Sequence, residues 1–395
     1  MSTGDSAYIK TLNRRILIEN IIKYRSISRS DLARLTGLNK STVSAQVLQM
    51  MNEQLIIEKQ AGATSNRGRK PILLEINGNA GYSIGIDFDE NSIQFQVTNL
   101  LGHSIHSLRL NNKNNTPSEA MELIIKTVRD LIQTFNKQYD AVGLTGIGVG
   151  IHGIVARSHD IIFTPKMDLT DLPIKQKLED IFEVPVFIDN NANLCAYAEQ
   201  VYTSAVSDLF CITMYSGIGL GILKDSEIYR GFQGFAGEIG HMIVEKHGRE
   251  CPCGNKGCWE LYASEKALLH ELEAEGLKLK EIDEKDVDYI INHYPKLMES
   301  FFDYVAIGLN NIINIFNPET IIINGHLLNN NQNLIDKLTD RLTSRMNNYD
   351  TITSSILGKD ACSLGGAMIA LKHYYDIQTL DFTAYSHFQD KQLVN

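Results

Sequence analysis

The stretch Met214-Tyr-Ser-Gly217-Ile-Gly219-Leu-Gly221-Ile runs on through Gly231 and Gly237-Glu-Ile-Gly240-His241 into Cys251-Pro-Cys253-Gly-Asn-Lys-Gly-Cys258-Trp-Glu260. It sets closely spaced glycines beside a Glu-x-x-His pair and three cysteines within eight residues. Thiolates crowded in this way read as metal ligands rather than disulfides in an intracellular chain. A structural zinc ion wants four nitrogen or sulfur ligands in a tetrahedron. Cys251, Cys253 and Cys258 supply three, and His241, ten residues before Cys251, is the expected fourth. Gly254 and Gly257 give the backbone freedom to fold around the ion. The alternatives are a redox pair or three unligated thiols. Cys195, Cys211 and Cys362 sit in apolar surroundings and read as buried core thiols.

Working outward, strands alternate with helices from Gly81 onward. Ser83–Asp87 and Ile93–Val97 read as opening strands, Pro117–Asn136 as a helix, and Gly143–Ile151 as a buried glycine-rich strand. Val184–Ile188 leads into a helix over Asn191–Val201, Leu209–Tyr215 is a strand, and residues 264–316 are mainly helical before the strand Glu319–Asn324. This is the layout of an α/β body in two halves.

The first 76 residues differ in both pattern and charge. The whole chain of 395 residues carries a net charge of −10, but residues 1–76 hold 12 Lys+Arg against 6 Asp+Glu, and the rest holds 25 against 41. A basic module that meets phosphates is thus joined to an acidic body. Asn13–Tyr24 reads as a helix. Ser28 or Ser30 caps a second helix that turns Leu32, Ala33 and Leu35 inward, and Gly37 breaks it. Lys40–Glu53 resumes with Val43, Val47, Met50 and Met51 on one face. Two short helices around a glycine turn form a helix-turn-helix pattern. The strand-like runs Leu55–Lys59 and Ile72–Ile76 flank a basic tip, a hairpin that reads as a wing. On DNA, Ser41, Thr42, Ser44 and Gln46 are expected at base edges, with Lys40, Arg67, Arg69 and Lys70 mainly on phosphates. A small helical oligomerisation domain with a basic linker is the alternative.

With 43% hydrophobic and 21% charged residues, the composition is that of a globular protein. No apolar run approaches the ~18–20 residues of a membrane span, and the N-terminus lacks the basic and apolar regions of a secretion signal. A cytoplasmic protein with no membrane partner is expected.

The glycine spacing, the Glu-x-x-His pair and the cysteine cluster, together and in this order, closely resemble the signature of the ROK family (repressors, open reading frames and kinases). The resemblance covers about residues 80–385. It implies a two-lobed α/β body of the sugar kinase and actin-like ATPase (ribonuclease H-like) type, with lobes at 77–200 and 201–395 behind a winged helix-turn-helix at 1–76. The second lobe would carry the zinc loop and a dimerisation surface. Carried over by motif, the sugar-holding residues are Asn190 and Asn191 in Asp-Asn-Asn-Ala-Asn, Glu238 and His241, and Glu260. Without the motif, Glu238 and Glu260 would read as surface charges.

Three departures from the family's kinases stand out. The kinase phosphate turn Asp-x-Gly-Gly-Thr is replaced by Asp87-Phe-Asp89-Glu90-Asn91, whose carboxylates repel phosphate. The general base, an Asp in Asn-Asp-Ala-Asn, is Asn191, and an amide cannot take the proton. A later glycine pair of the kinases' nucleotide site is replaced by Asn324-Gly325-His326. The resemblance therefore implies a non-enzymatic, sugar-responsive repressor with structural Zn2+, reading an inverted-repeat operator in double-stranded DNA as a homodimer or higher homo-oligomer. Leu35–Ser44, Gly150–Val155 and the Asp-Asn-Asn-Ala-Asn stretch look most like the xylose-operon repressors, so xylose is the expected effector. An active sugar kinase with an added DNA-binding domain, or a repressor controlled by a protein partner, are the alternatives.

Overall fold

The computed structural model describes residues 6–60, 72–203, 206–383 and 385. At the N-terminus, α1 (Ser6–Tyr24) begins seven residues before the expected start. It is followed by β1 (Ile27–Ser28), α2 (Arg29–Thr36), α3 (Lys40–Asn52), β2 (Ile56–Gln60) and β3 (Ile72–Ile76). The Ser28 hydroxyl accepts the Asp31 N–H and caps α2, and Gly37 ends it with φ of 70°. The strands form a small antiparallel sheet in the order β1-β3-β2. Leu32, Ala33, Val43, Val47 and Met50 are buried, as their spacing requires, whereas Leu35, expected inside, is exposed. With Leu32 and Ala33 already turned inward, an eight-residue helix leaves Leu35 on its outer side.

The first lobe contains β4 (Gly81–Phe88), β5 (Ser92–Asn99), β6 (Ser104–Asn111), α4 (Pro117–Phe135), β7 (Gly143–Ile151), β8 (Ile154–Val155), β9 (Ile161–Phe163), α5 (Ile174–Phe182) and β10 (Val186–Asn190). Its five-stranded sheet has the order β10-β7-β4-β5-β6, with β4, β7 and β10 parallel. Strand β6 escaped sequence reading because it is a half-exposed edge strand, mostly polar, in which only Ile105, Leu108 and Leu110 face the core. Helix α4 opens on a capping box between Thr116 and Glu119.

Helix α6 (Asn191–Tyr202) runs across the expected lobe boundary at residue 200, and the chain goes on through β11 (Leu209–Thr213), β12 (Gly219–Lys224), β13 (Glu227–Ile228), α7 (Glu260–Ala263), α8 (Glu265–Ala274), α9 (Glu284–His293), α10 (Pro295–Phe316), β14 (Thr320–Asn324), α11 (Gln332–Thr339) and β15 (Thr351–Ser354) of the second lobe to α12 (Ala361–Tyr375). The sheet order is β13-β12-β11-β14-β15. Helix α6 packs on β11 and β12, and α12 crosses back onto β4 and β7 of the first lobe. The close approach depends on glycine. A Cβ at Gly85 would lie 1.7 Å from the Ser363 carbonyl oxygen, and one at Gly148 would lie 2.0 Å from that of Gly366. The two helices thus form a shared spine between the lobes.

Behind α12 the chain continues as a strap that includes residues 376–383 and Tyr385. Phe382 donates its N–H to the Val201 carbonyl at the end of α6 (2.9 Å) and buries its ring against Gly102. The strap also holds α1. Arg15 pairs with Asp376 at 2.8 Å, the Gln378 N–H reaches Glu19 at 3.0 Å, and Arg25 lies over the Tyr385 ring at 4.8 Å. One apolar cluster runs from Leu17, Ile21 and Leu74 of the N-terminal module through Leu380 and Phe382 to α6 and α12. Among the described residues no helix is long and apolar enough to cross a membrane.

Candidate functional site

The parallel strands β4, β7 and β10 end in register, with Asp87 opposite Gly150 and Gly150 opposite Asp189, then Phe88, Ile151 and Asn190. Polar groups therefore gather at the carboxyl edge of the sheet, where α/β folds bind ligands. Asn190 caps α6. Its Oδ1 accepts the Ala192 and Asn193 N–H groups at 2.8 and 3.3 Å, and its amide donates to the Gly153 carbonyl at 2.6 Å. Its side chain is thus occupied in building the edge. Asn191 opens the helix half-buried, and its amide makes no hydrogen bond among the described residues.

Beneath them lies Asp189, buried. It accepts the Asn193 amide at 2.9 Å and the Asn190 N–H at 2.8 Å, and pairs with Arg230 from the opposite lobe. Asp189 and Arg230 were missed in the sequence, where the one available signal was an acidic residue ending an apolar strand.

The 87–91 turn is closed by the protein's own cations. His152 Nε2 lies 2.9 Å from Asp87 and its Nδ1 3.8 Å from Asp89, while Lys166 pairs with Glu90 and comes within 3.5 Å of the Ser216 hydroxyl across the lobes. Burial works against charge on His152, but Asp87, Asp89 and Glu90 outweigh it and raise the imidazole to about 9. The Asn324-Gly325-His326 turn is filled in a similar way. The Asn324 amide donates to Gly358 at 3.1 Å and accepts the Tyr215 hydroxyl, His326 Nδ1 lies 2.9 Å from Glu265, and the Tyr215 and His326 rings meet edge to face.

Facing this edge, Gly219 and Gly221 bring β12 against Ala192 of α6, and Gly217 abuts the Glu260 carboxylate. There Glu238, His241 and Glu260 come together, with His241 Nε2 3.9 Å from Glu238 and Nδ1 3.6 Å from Glu260. Burial, reinforced by Glu260, raises the Glu238 carboxyl above its ordinary value although His241 opposes the shift.

The cysteine loop closes through the bridges Ile243↔Cys258 and Glu250↔Lys256, with Gly254 and Gly257 at φ of 98° and 77°. One ligand atom from each of His241, Cys251, Cys253 and Cys258 lies within 4.8 Å of the others. Cys251 Sγ is 3.6 Å from His241 Nδ1, and the Cys253 and Cys258 sulfurs are 3.7 Å apart. A tetrahedral ion with bonds of ~2.3 Å to sulfur has ligand–ligand edges of about 3.8 Å, so this donor set can hold a metal. His241 turns its other nitrogen toward Glu238. Cys195, Cys211 and Cys362 are buried free thiols.

On α3, Lys40, Ser41 and Ser44 are exposed and Thr42 is half-buried. Gln46 is the exception to the expected base-edge set. It is buried, and its amide donates to the Lys10 carbonyl of α1 at 3.1 Å. The position shares the helical face of Val43, Val47 and Met50, so its polar side chain serves the α1–α3 contact. Arg67, Arg69 and Lys70 lie outside the described residues.

The model of the ROK family matches residues 83–373. Over 95% of this chain and 99% of the relative, the sequence is 37% identical to the xylose repressor of Bacillus spizizenii. It is 35% identical to that of Bacillus subtilis over 96% and 100%. In structure it resembles a ROK family transcriptional regulator described as a homologue of the E. coli MLC protein, with a TM-score of 0.76, 23% identity and coverage of 93% and 97%. It also resembles a ROK glucokinase from Streptomyces griseus solved with glucose and AMPPNP, with a TM-score of 0.60, 23% identity and coverage of 73% and 99%. At these identities the two structures speak to the fold alone.

Proposed function

Because the chain belongs to the ROK family, we propose that it is a sugar-responsive transcriptional repressor in which xylose, bound between the lobes, changes the affinity of a homodimer or higher homo-oligomer for an inverted-repeat operator. The observation that carries this reading is the filling of both nucleotide turns. Asp87, Asp89 and Glu90 are satisfied by His152 and Lys166, and Asn324 and His326 by Tyr215, Gly358 and Glu265. A phosphate would have to displace these contacts, and the amide of Asn191 offers no base for proton removal. The polar groups suited to sugar hydroxyls remain: Asn191, Glu238, His241 and Glu260 can pair with neighbouring hydroxyls as donors and acceptors, while Asn190 fixes the turn that presents Asn191. We read the chain accordingly as a non-enzyme.

Zinc suits the His241, Cys251, Cys253 and Cys258 set and would fix the His241 ring through Nδ1, leaving Nε2 for Glu238 and the ligand. In the N-terminal module, α2 and α3 serve as the helix-turn-helix and β2–β3 as the wing, with Lys40, Ser41, Thr42 and Ser44 toward DNA and Arg67, Arg69 and Lys70 as the wing's phosphate contacts. Coupling is supported by α6. Its first turn carries the sugar motif and the Val201 carbonyl of its last turn holds the strap, which in turn holds α1. A ligand that favours one lobe arrangement would shift two recognition helices away from a separation of one DNA turn, about 34 Å.

The test is operator binding by the full-length protein across a panel of free aldoses, with a coupled phosphotransfer assay alongside. A change in operator affinity with xylose and no ATP turnover is expected. Robust sugar phosphorylation, or indifference of DNA binding to every sugar, would overturn the reading.

A further inference from the structure

Strands β4, β7 and β10 end side by side, and the residue that follows the middle strand is His152. By strand order it follows β7 between the end of β4, which leads into the 87–91 turn, and the end of β10, which leads into Asn190–Asn191. Both nitrogens face carboxylates, at 2.9 Å from Asp87 and 3.8 Å from Asp89, and the next carbonyl, Gly153, is tied to the Asn190 amide at 2.6 Å. The ring is therefore held as a wall. Phosphoryl transfer needs the attacking oxygen in line with the phosphate. On this frame, a kinase must present the reacting hydroxyl between the position of Asn191 and the 87–91 turn. In an aldohexose pyranose the primary hydroxyl sits on an exocyclic arm, and that arm would enter the gap where His152 stands. A pentopyranose has no such arm.

We propose that His152 is a specificity-determining residue that closes the end of the cleft and makes it a pentose site. The proposal rests on the sugar-binding reading above and adds to it the residue that keeps a hexose out. One carbon more or less in a close-fitting pocket changes affinity by about 10–200-fold, which sets the scale of the effect.

Calorimetric titration of the full-length protein with D-xylose and with D-glucose tests it, in the wild type, His152→Ala and His152→Gln. The wild type should prefer xylose by at least about tenfold. His152→Ala should reduce that preference by a similar factor through a gain in glucose affinity. His152→Gln, with a planar side chain of similar reach beside Asp87, should keep it. Asp87→Asn, which weakens the hold on the ring without removing it, should lower the preference and serves in place of His152→Ala if that variant does not fold. An unchanged ratio in a folded His152→Ala, or a ratio that falls only because xylose is lost, overturns the assignment while the sugar-binding reading stands. No binding of either sugar by the wild type overturns that reading, and the assignment with it.

Discussion

Replacing Phe382 by alanine should disconnect the sugar response from DNA binding. Its ring is fully buried, against Gly102, and its N–H holds the last turn of α6. Truncating a buried phenylalanine costs about 3–5 kcal/mol. The exposed pair between Arg15 and Asp376, which ties the strap to α1, contributes only about 0–1 kcal/mol, so the phenylalanine is the larger single contribution, beside buried Ile377 and Leu380. An allosteric coupling energy is typically about 1–3 kcal/mol, a 5–150-fold change in affinity, less than the seat it would be transmitted through. Losing that seat should therefore abolish the coupling, whereas Arg15→Ala should leave most of it. The assay is fluorescence anisotropy on a duplex selected by the wild type from random-sequence DNA, with and without saturating xylose, and calorimetry for the sugar itself. In Phe382→Ala the xylose-induced change in DNA affinity should shrink toward unity while xylose binding persists. A Phe382→Ala protein that melts cooperatively and keeps the full response would refute the strap as the connection.

Burial raises the Glu199 carboxyl to about 7, although Ser355 and Thr203 hydrogen bonds oppose the shift. With the folded value above the unfolded one, stability falls as pH rises from about 4.5 to 7 and is flat beyond. Glu199→Gln should therefore match the wild type in thermal melts near pH 4.5 and exceed it by up to about 3 kcal/mol at pH 8. Cys253→Ser should lower the metal content measured by atomic emission and weaken xylose binding, because His241 loses its anchor; xylose binding unaltered in the metal-free protein would separate the loop from the cleft. Gln46→Ala should lower the stability of the N-terminal module by about 1 kcal/mol without changing sequence preference on DNA. Ser44→Ala should do the reverse, holding stability to within about 0.5 kcal/mol.

The amino-acid order by itself determined most element types, the module boundary in charge and the residues of the candidate metal cluster, because these depend on local periodicity and short spacings. Gly143–Ile151 is a strand over the predicted span, and Cys251, Cys253, Cys258 and His241 converge because ten and two-to-five residues of glycine-punctuated loop can close on one point. What depended on distant partners was hidden. Strand β6 has too little apolar alternation to announce itself, and Gln46 looks polar until α1 is laid over it. Asp189 gains its meaning from Arg230, forty-one residues on, and Asp87 from His152, sixty-five on. Only the tertiary structure brought α12 back onto the first sheet and the strap onto α1, since such contacts are set by packing between surfaces remote in sequence. The chain read alone indicates two modules and the parts of a cleft; the fold supplies the spine and strap by which one could act on the other.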